Sequence, residues 1–291
     1  MKKGYAILMV ILAGVLWGTS GIFVHYLAPL GYTSVQMTSI RSGVAALGTL
    51  IYALVHDRSL FRTRKIDLCI FMLTAIGLFG TGSCYFYSMQ ASSISTAVVL
   101  MYTAPIYVML FSVFFFGEKL SRAKLAALVL MLVGCALVSG VVGGMKFSLA
   151  GILMGVISGI AYGAYNILTK LSMRRGVHPL TACVYVFSFT FLISLTFASP
   201  SSMIENTAQS PTVTIPLALG CGIVTFILPY VLYTRAMQRL DATTTASLGI
   251  VEPMSAALFG ILLFREQIDI YIGSGIILIL TAILLTCQSE K

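Results

Sequence analysis

Seven side chains in this sequence are out of place unless they meet something polar. Arg41 and Glu252 are charged residues well inside apolar runs, and Trp17, Tyr85, Tyr102, Tyr162 and Asn166 lie deep in other such runs. A guanidinium binds a carboxylate through a planar fork, and a carboxylate binds an ammonium. Tyrosine and tryptophan offer a cation-attracting face and one polar atom. As a recognition set for a small polar molecule these types are complete. As a catalytic set they are not, because Arg41 and Glu252 lack a third partner for acid, base or nucleophilic work. The three histidines, His25, His56 and His178, form no HExxH or paired-ligand pattern, and no GxxxxGK[ST] loop exists to drive a pump with ATP. Cys69, Cys84, Cys135, Cys183, Cys221 and Cys287 show no CxxC spacing and read as buried thiols. No cofactor and no metal are expected.

The surroundings of these residues are lipid. Of 291 residues 58% are hydrophobic and only 9% charged, where soluble domains carry about 25% charged residues. That balance excludes soluble enzymes, nucleic-acid-binding modules and secreted disulfide scaffolds. A bilayer core takes roughly 20 apolar residues per helix. Dividing the chain at charge clusters and Gly/Pro/Ser breaks predicts ten spans: 5–25, 34–55, 66–90, 93–116, 122–141, 149–171, 179–198, 213–236, 243–264 and 268–287. The first is a retained span, since no small-residue cleavage site closes it. The longest outer connection, SPSSMIENTAQSPT, is too small to be a domain.

Basic residues set the orientation. With the amino terminus inside, fifteen Lys and Arg fall in inner segments against Lys146 and Arg265 outside, which predicts a multi-pass plasma-membrane protein with both termini cytoplasmic.

Two halves recur within the chain. A shift of 148 lays the segment from Tyr85 over the segment from Tyr233. Tyr85, Gln90, Thr96, Leu100, Pro105, Phe111, Phe116 and Glu118 return as Tyr233, Gln238, Thr244, Leu248, Pro253, Phe259, Phe264 and Glu266. A shift of 145 lays AGVLWG, from Ala13, over SGIAYG, from Ser158. Halves of five helices each face opposite sides of the membrane, a device of alternating-access transporters. The expected fold is therefore an all-α membrane protein, with ten transmembrane helices arranged as two inverted repeats over residues 1–145 and 146–291.

The segments LWGTSGIF, TAPIYVMLFSVFFFGEKL and VEPMSAALFGILLFREQI resemble the EamA-type members of the drug/metabolite transporter superfamily along essentially the whole chain. Pro105 with Gly117 and Glu118 fits the family's mid-helix proline and terminal Gly-Glu pair, whereas Arg265 replaces the glycine in the second copy. The resemblance implies ten helices, a central cavity between halves lined by helices 1, 3, 4 and 6, peripheral helices 5 and 10, and export of small metabolites such as amino acids.

On that reading Trp17, Arg41, Tyr85, Tyr102, Tyr162, Asn166 and Glu252 are the substrate-binding candidates, and Pro105, Pro253, Gly159 and Gly163 the helix-break and gating candidates. Gly151, Gly155, Gly159 and Gly163 form a stripe that lets backbones approach, as do Gly14 and Gly18. Arg41 and Glu252 are expected to meet, directly or through water, as a strut, gate or clamp. The partners expected are a small-molecule substrate and membrane lipids, with no nucleic acid and a monomer or homodimer. Rival readings are an intramembrane enzyme and a passive channel or lipid scramblase.

Overall fold

The structure is a computed structural model and describes residues 3–92, 94–118, 121–138, 148–264 and 270–289. Among them the chain is helical throughout, with short turns and no strand. Fifteen α-helices follow in order: α1 Lys3–Gly18, α2 Ser20–Leu27, α3 Ser34–His56, α4 Lys65–Ala91, α5 Ile94–Met101, α6 Ala104–Phe116, α7 Arg122–Val138, α8 Leu149–Arg174, α9 Pro179–Leu195, α10 Pro200–Gln209, α11 Pro211–Gly222, α12 Leu228–Ala236, α13 Ala242–Leu248, α14 Val251–Phe264 and α15 Ile270–Ser289. Among the described residues eight of the ten expected spans, all but the fifth and seventh, are continuous or broken helices long and apolar enough to cross a membrane, and the seventh joins them if α9 and α10, bent by 94°, count as one. α7 and α9 are 17 residues each.

In hydrocarbon every backbone polar group must find its partner inside the protein, which leaves helix as the local solution for such apolar runs. Many large apolar side chains face outward, among them Phe114, 84% exposed, Val55, 71%, and Leu262, 72%. Hydroxyls face inward and bond their own helix, as in Ser42 to Thr38 O (2.7 Å), Thr49 to Ala45 O (2.7 Å) and Thr190 to Val186 O (2.7 Å). Half of the cysteines depart from the buried-thiol expectation. None of the six forms a disulfide among the described residues, but Cys69 is exposed and Cys84 and Cys287 are half-buried, because a thiol on a lipid-facing surface needs no burial.

Helix partners follow a regular scheme. α4 packs on α8 and α1 on α12; α5 and α6 lie against α8, and α14 against α1; α3 pairs with α9, and α7 with α15. The glycine stripes sit at these contacts. A methyl group on Gly159 would lie 2.8 Å from Leu100 O and 2.9 Å from Thr103 Oγ1, and one on Gly163 3.1 Å from Tyr107 Cβ. In the other half, a methyl on Gly14 would meet Val251 Cβ at 2.7 Å, and one on Gly18 would meet Ser255 Cβ at 2.7 Å. Thr103 and Tyr107 stand 148 residues before Val251 and Ser255, so matched glycines meet matched positions.

Four spans are interrupted. α1 gives way to α2 at Thr19, whose hydroxyl bonds Leu16 O at 2.7 Å, and α5 gives way to α6 at Tyr102 and Thr103, where Thr103 bonds Leu100 O at 2.6 Å. α13 and α14 part at Gly249 and Ile250, within one residue of the equivalent place. Pro105 is the second residue of α6 and Pro253 the third of α14, positions in a first turn where a missing N–H is tolerated. The fourth interruption is a π-helical turn, Ile223–Ile227, joining α11 to α12; α4, its repeat counterpart, has none. The segment expected as a plain outer connection instead forms α10. Tyr32 OH to Thr207 Oγ1 (2.6 Å), Gln36 Nε2 to Ser202 Oγ (2.7 Å) and Asn206 Nδ2 to Gly31 O (2.9 Å) hold it.

Candidate functional site

The interruptions bring the singled-out residues together. Tyr102 lies in the break of the fourth span and Glu252 is the second residue after the break of the ninth. The Tyr102 hydroxyl faces the Glu252 carboxylate without closing a hydrogen bond within 3.5 Å. Tyr162, from the unbroken α8, reaches the ninth-span break, where its hydroxyl would be 3.4 Å from a methyl on Gly249. Tyr85 and Tyr230 also stand within electrostatic range of Glu252.

Trp17 anchors an aromatic wall. Its ring centroid lies 5.0 Å from that of Tyr230 and 5.1 Å from that of Tyr233. Tyr230 continues edge-on to Tyr165 at 5.7 Å and tilted to Phe226 at 4.7 Å. Asn166 supports this wall from behind and is fully buried: its Nδ2 donates to Tyr162 O at 2.7 Å, and its Oδ1 accepts from the Tyr233 hydroxyl.

Arg41 closes the other side. Its guanidinium carbon stands 5.5 Å from the Phe226 centroid, a cation–π arrangement made available by the π-turn that carries Phe226. No ion pair within 4.0 Å joins it to Glu252 among the described residues, so of the two expected forms of meeting, direct or through water, the direct one is not present. The phenol of Tyr230 stands within electrostatic range of both charges, and the two charges within range of each other.

Polar satisfaction marks this cluster. Among the described residues Trp17 Nε1, Arg41 Nε and Tyr102 OH are buried without a hydrogen-bond partner. Each such group costs about 1–3 kcal/mol against a satisfied one. Arg41, Tyr85 and Glu252 are half-buried. Three donors and one separated carboxylate suit a ligand carrying an anionic end and a cationic end. No group of three or more His, Cys, Asp or Glu able to hold a metal occurs among the described residues.

Pro105, Gly159 and Gly163 stand at the helix contacts and breaks rather than among the aromatic rings. Sequence reasoning missed Tyr230, Phe226 and Tyr165. Tyr233 had a signal, since it repeats Tyr85, but nothing in spacing announces which tyrosine a π-turn will rotate inward.

A second group ties the halves at the bundle end that carries most basic residues. Gly117, with φ 64°, reverses the chain after α6 in the left-handed region that glycine adopts without strain. Glu118 is thereby set against the first turn of α13, accepting from Ala242 N at 2.9 Å, Thr243 N at 3.4 Å and Thr243 Oγ1 at 2.8 Å. Lys124 pairs with Asp241 at 3.0 Å; within the later half, Lys170 Nζ donates to Met237 O at 2.9 Å and Leu240 O at 2.5 Å. The repeat partner Glu266, with Arg265, Lys146 and Lys291, lies outside the described residues.

The chain is similar to known transporters along its length. A transporter of Archaeoglobus fulgidus is 27% identical over 96% of this chain and 94% of its own. The inner membrane transporter YicL of Salmonella typhimurium is 25% identical over 100% and 97%. The pseudopaline exporter CntI of Pseudomonas aeruginosa is 26% identical over 85% and 84%. One crystal structure superposes with a TM-score of 0.79 over 99% of this chain and 98% of that one, at 18% identity, and so shares the fold. The EamA-like transporter family matches twice, over residues 4–140 and 149–288. This multi-pass membrane protein is a transporter rather than an enzyme, and it belongs to the EamA-like transporter family.

Proposed function

We infer that the chain is a secondary transporter of ten membrane helices in two inverted five-helix halves, exporting a small zwitterionic metabolite of amino-acid size by alternating access. The observation that carries this reading is the unsatisfied cluster of Trp17, Arg41 and Tyr102 beside Glu252. A substrate carboxylate takes the Arg41 fork and the Trp17 N–H, its ammonium takes Glu252 over the aromatic faces, and Tyr102 serves either end. Tyr85 and Tyr162 complete the walls, and Asn166 holds one of them in place.

The inverted arrangement is supported by the helix partners. Exchanging each helix for its repeat equivalent turns the α4–α8 pair into α12–α1 and the α6–α8 pair into α14–α1, both of which occur. The double family match and the matched breaks agree with it. The concentration of Lys and Arg at one end supports placing both termini in the cytoplasm. Glu118 and Lys124 then close the cytoplasmic side, so loading from the cytoplasm requires these ties to part. Pro105 and Pro253 stand beside the breaks about which such a change would turn, and Gly159 and Gly163 offer a smooth surface for it. The chain does this as a monomer or homodimer, with no cofactor, and draws on a gradient or on exchange.

Purified protein in liposomes tests the reading. Neutral amino acids and small dipeptides should show saturable uptake with counterflow, lost in Glu252→Gln. Flux that does not saturate and shows no counterflow would instead make it a channel or scramblase.

A further inference from the structure

A second feature lies at the basic end, away from the aromatic cluster. A pocket of about 300 Å³ opens between the 3-10 turn Arg58–Phe61 with the chain that follows it, and the α8–α9 connection. Its walls come from both halves. The N-terminal ends of α4 and α9 give onto it, with their cap residues Arg64 and His178 in the lining, so the positive ends of two helix dipoles share one space.

The two carboxylates in the lining are engaged. Asp67 is paired with Arg175 at 2.6 Å. Asp57 accepts from Ser59 Oγ at 2.6 Å and Ser59 N at 3.0 Å, and these hydrogen bonds hold it below the usual carboxylate range. Arg62 and Arg64 are different, because among the described residues their side chains make no hydrogen bond or ion pair. Thr181 lines the pocket at 4% exposure, and its hydroxyl has no partner among the described residues. Two uncommitted guanidinium forks, the open hydroxyl of a buried threonine and two helix N-termini form a receptor for a tetrahedral oxyanion.

We propose that this pocket binds a phosphate group, that of an anionic phospholipid headgroup. The lipid source follows from the neighbours. Leu54 and Val55, just before Asp57, are 52% and 71% exposed, and Ile66, just after Arg64 and Lys65, is 53% exposed. Apolar surface for acyl chains thus flanks the pocket, and basic pockets between membrane helices hold such headgroups. Because both halves contribute walls, an occupant fastens them together at this end and favours the arrangement seen here; that consequence alone rests on the transport reading.

The test uses the full chain in detergent, with phosphatidylglycerol, phosphatidylcholine and inorganic phosphate as probes, read by native mass spectrometry and thermal unfolding. Phosphatidylglycerol should stay bound and raise the unfolding temperature, with phosphatidylcholine the weaker ligand. At about 1 kcal/mol per basic residue, each of R62Q and R64Q should weaken it about fivefold. Thr181→Val should weaken it about two- to tenfold, the worth of one hydrogen bond. Arg122→Gln and Arg239→Gln, exposed elsewhere on the chain, should leave it unchanged. If inorganic phosphate alone reproduces the stabilisation and R62Q/R64Q abolishes it, the phosphate site stands and its source is a soluble phosphoryl compound. Wild-type binding of both probes by R62Q/R64Q, or an equal loss in Arg122→Gln, overturns the proposal.

Discussion

The Glu118 carboxylate accepts the Ala242 amide at 2.9 Å, so the residue that ends the fourth span also caps the ninth. Two chain segments 124 residues apart share one helix terminus. Glu118→Ala leaves first-turn donors of α13 open, and loss of such a cap costs about 0.5–2 kcal/mol. Thermal unfolding should record that loss. In a background without native cysteines, Ser112→Cys, fully buried beneath this closure, should also react faster with a thiol reagent applied from the basic end. Unchanged reactivity would mean that Glu118 holds no closure.

Tyr102→Phe separates binding from folding. The hydroxyl has no protein partner, so its removal should leave thermal stability unchanged or slightly raised. Substrate affinity should fall by about two- to tenfold, the worth of one hydrogen bond. A large loss of stability with affinity intact would place Tyr102 in the scaffold.

Asn166→Leu should behave in the opposite way. It strands the buried Tyr233 hydroxyl, at a cost of about 1–3 kcal/mol. Substrate affinity per folded molecule should change less than in Tyr102→Phe. Isothermal binding on the folded fraction decides between a wall support and a direct contact.

The glycine contacts predict a graded series. Gly159→Ala presses on the carbonyl of Leu100, backbone that cannot swing aside, and should destabilise by about 1–3 kcal/mol. Gly21→Ala meets nothing within 4 Å and should lie within about 0.5 kcal/mol of the parent. Equal effects in a melting series would remove the close helix approach as the reason for the stripe.

Topology is open to labelling. The α3–α4 and α9–α11 connections hold equivalent places in the two halves, so inversion puts them on opposite sides. With native cysteines removed, His56→Cys should resist an impermeant outside reagent and Ser201→Cys should react. Labelling of both from one side would dismiss the inverted arrangement.

The sequence displayed the long apolar helices and the residues with no business in lipid, because apolar length and misplaced charge need only one dimension. Helix breaks were less visible. Pro105 and Pro253 mark two of them, but Thr19 ends α1 through a hydroxyl bond that threonine makes just as readily in an unbroken helix. Arg41 shows the harder limit. Its depth was readable, whereas its neighbour, Phe226 rather than Glu252, depends on a π-turn 182 residues downstream that rotates one face of the eighth span. Tyr230 and Tyr165 joined the site for the same reason, since a helix's inward face is chosen by its packing partners.

The π-turn has no counterpart in α4, and Glu252 stands where the first half has Ala104. A scaffold built twice over would, left symmetric, present the same chemistry to both ends of whatever it holds. These two departures give the chamber a head and a tail. A molecule with unlike ends then has one favoured pose, and the mirror-image enantiomer, which must exchange two of its substituents to keep both charges in place, meets the aromatic wall with the wrong side chain. For the zwitterionic cargo proposed above, handedness is thus written into the places where duplication was undone.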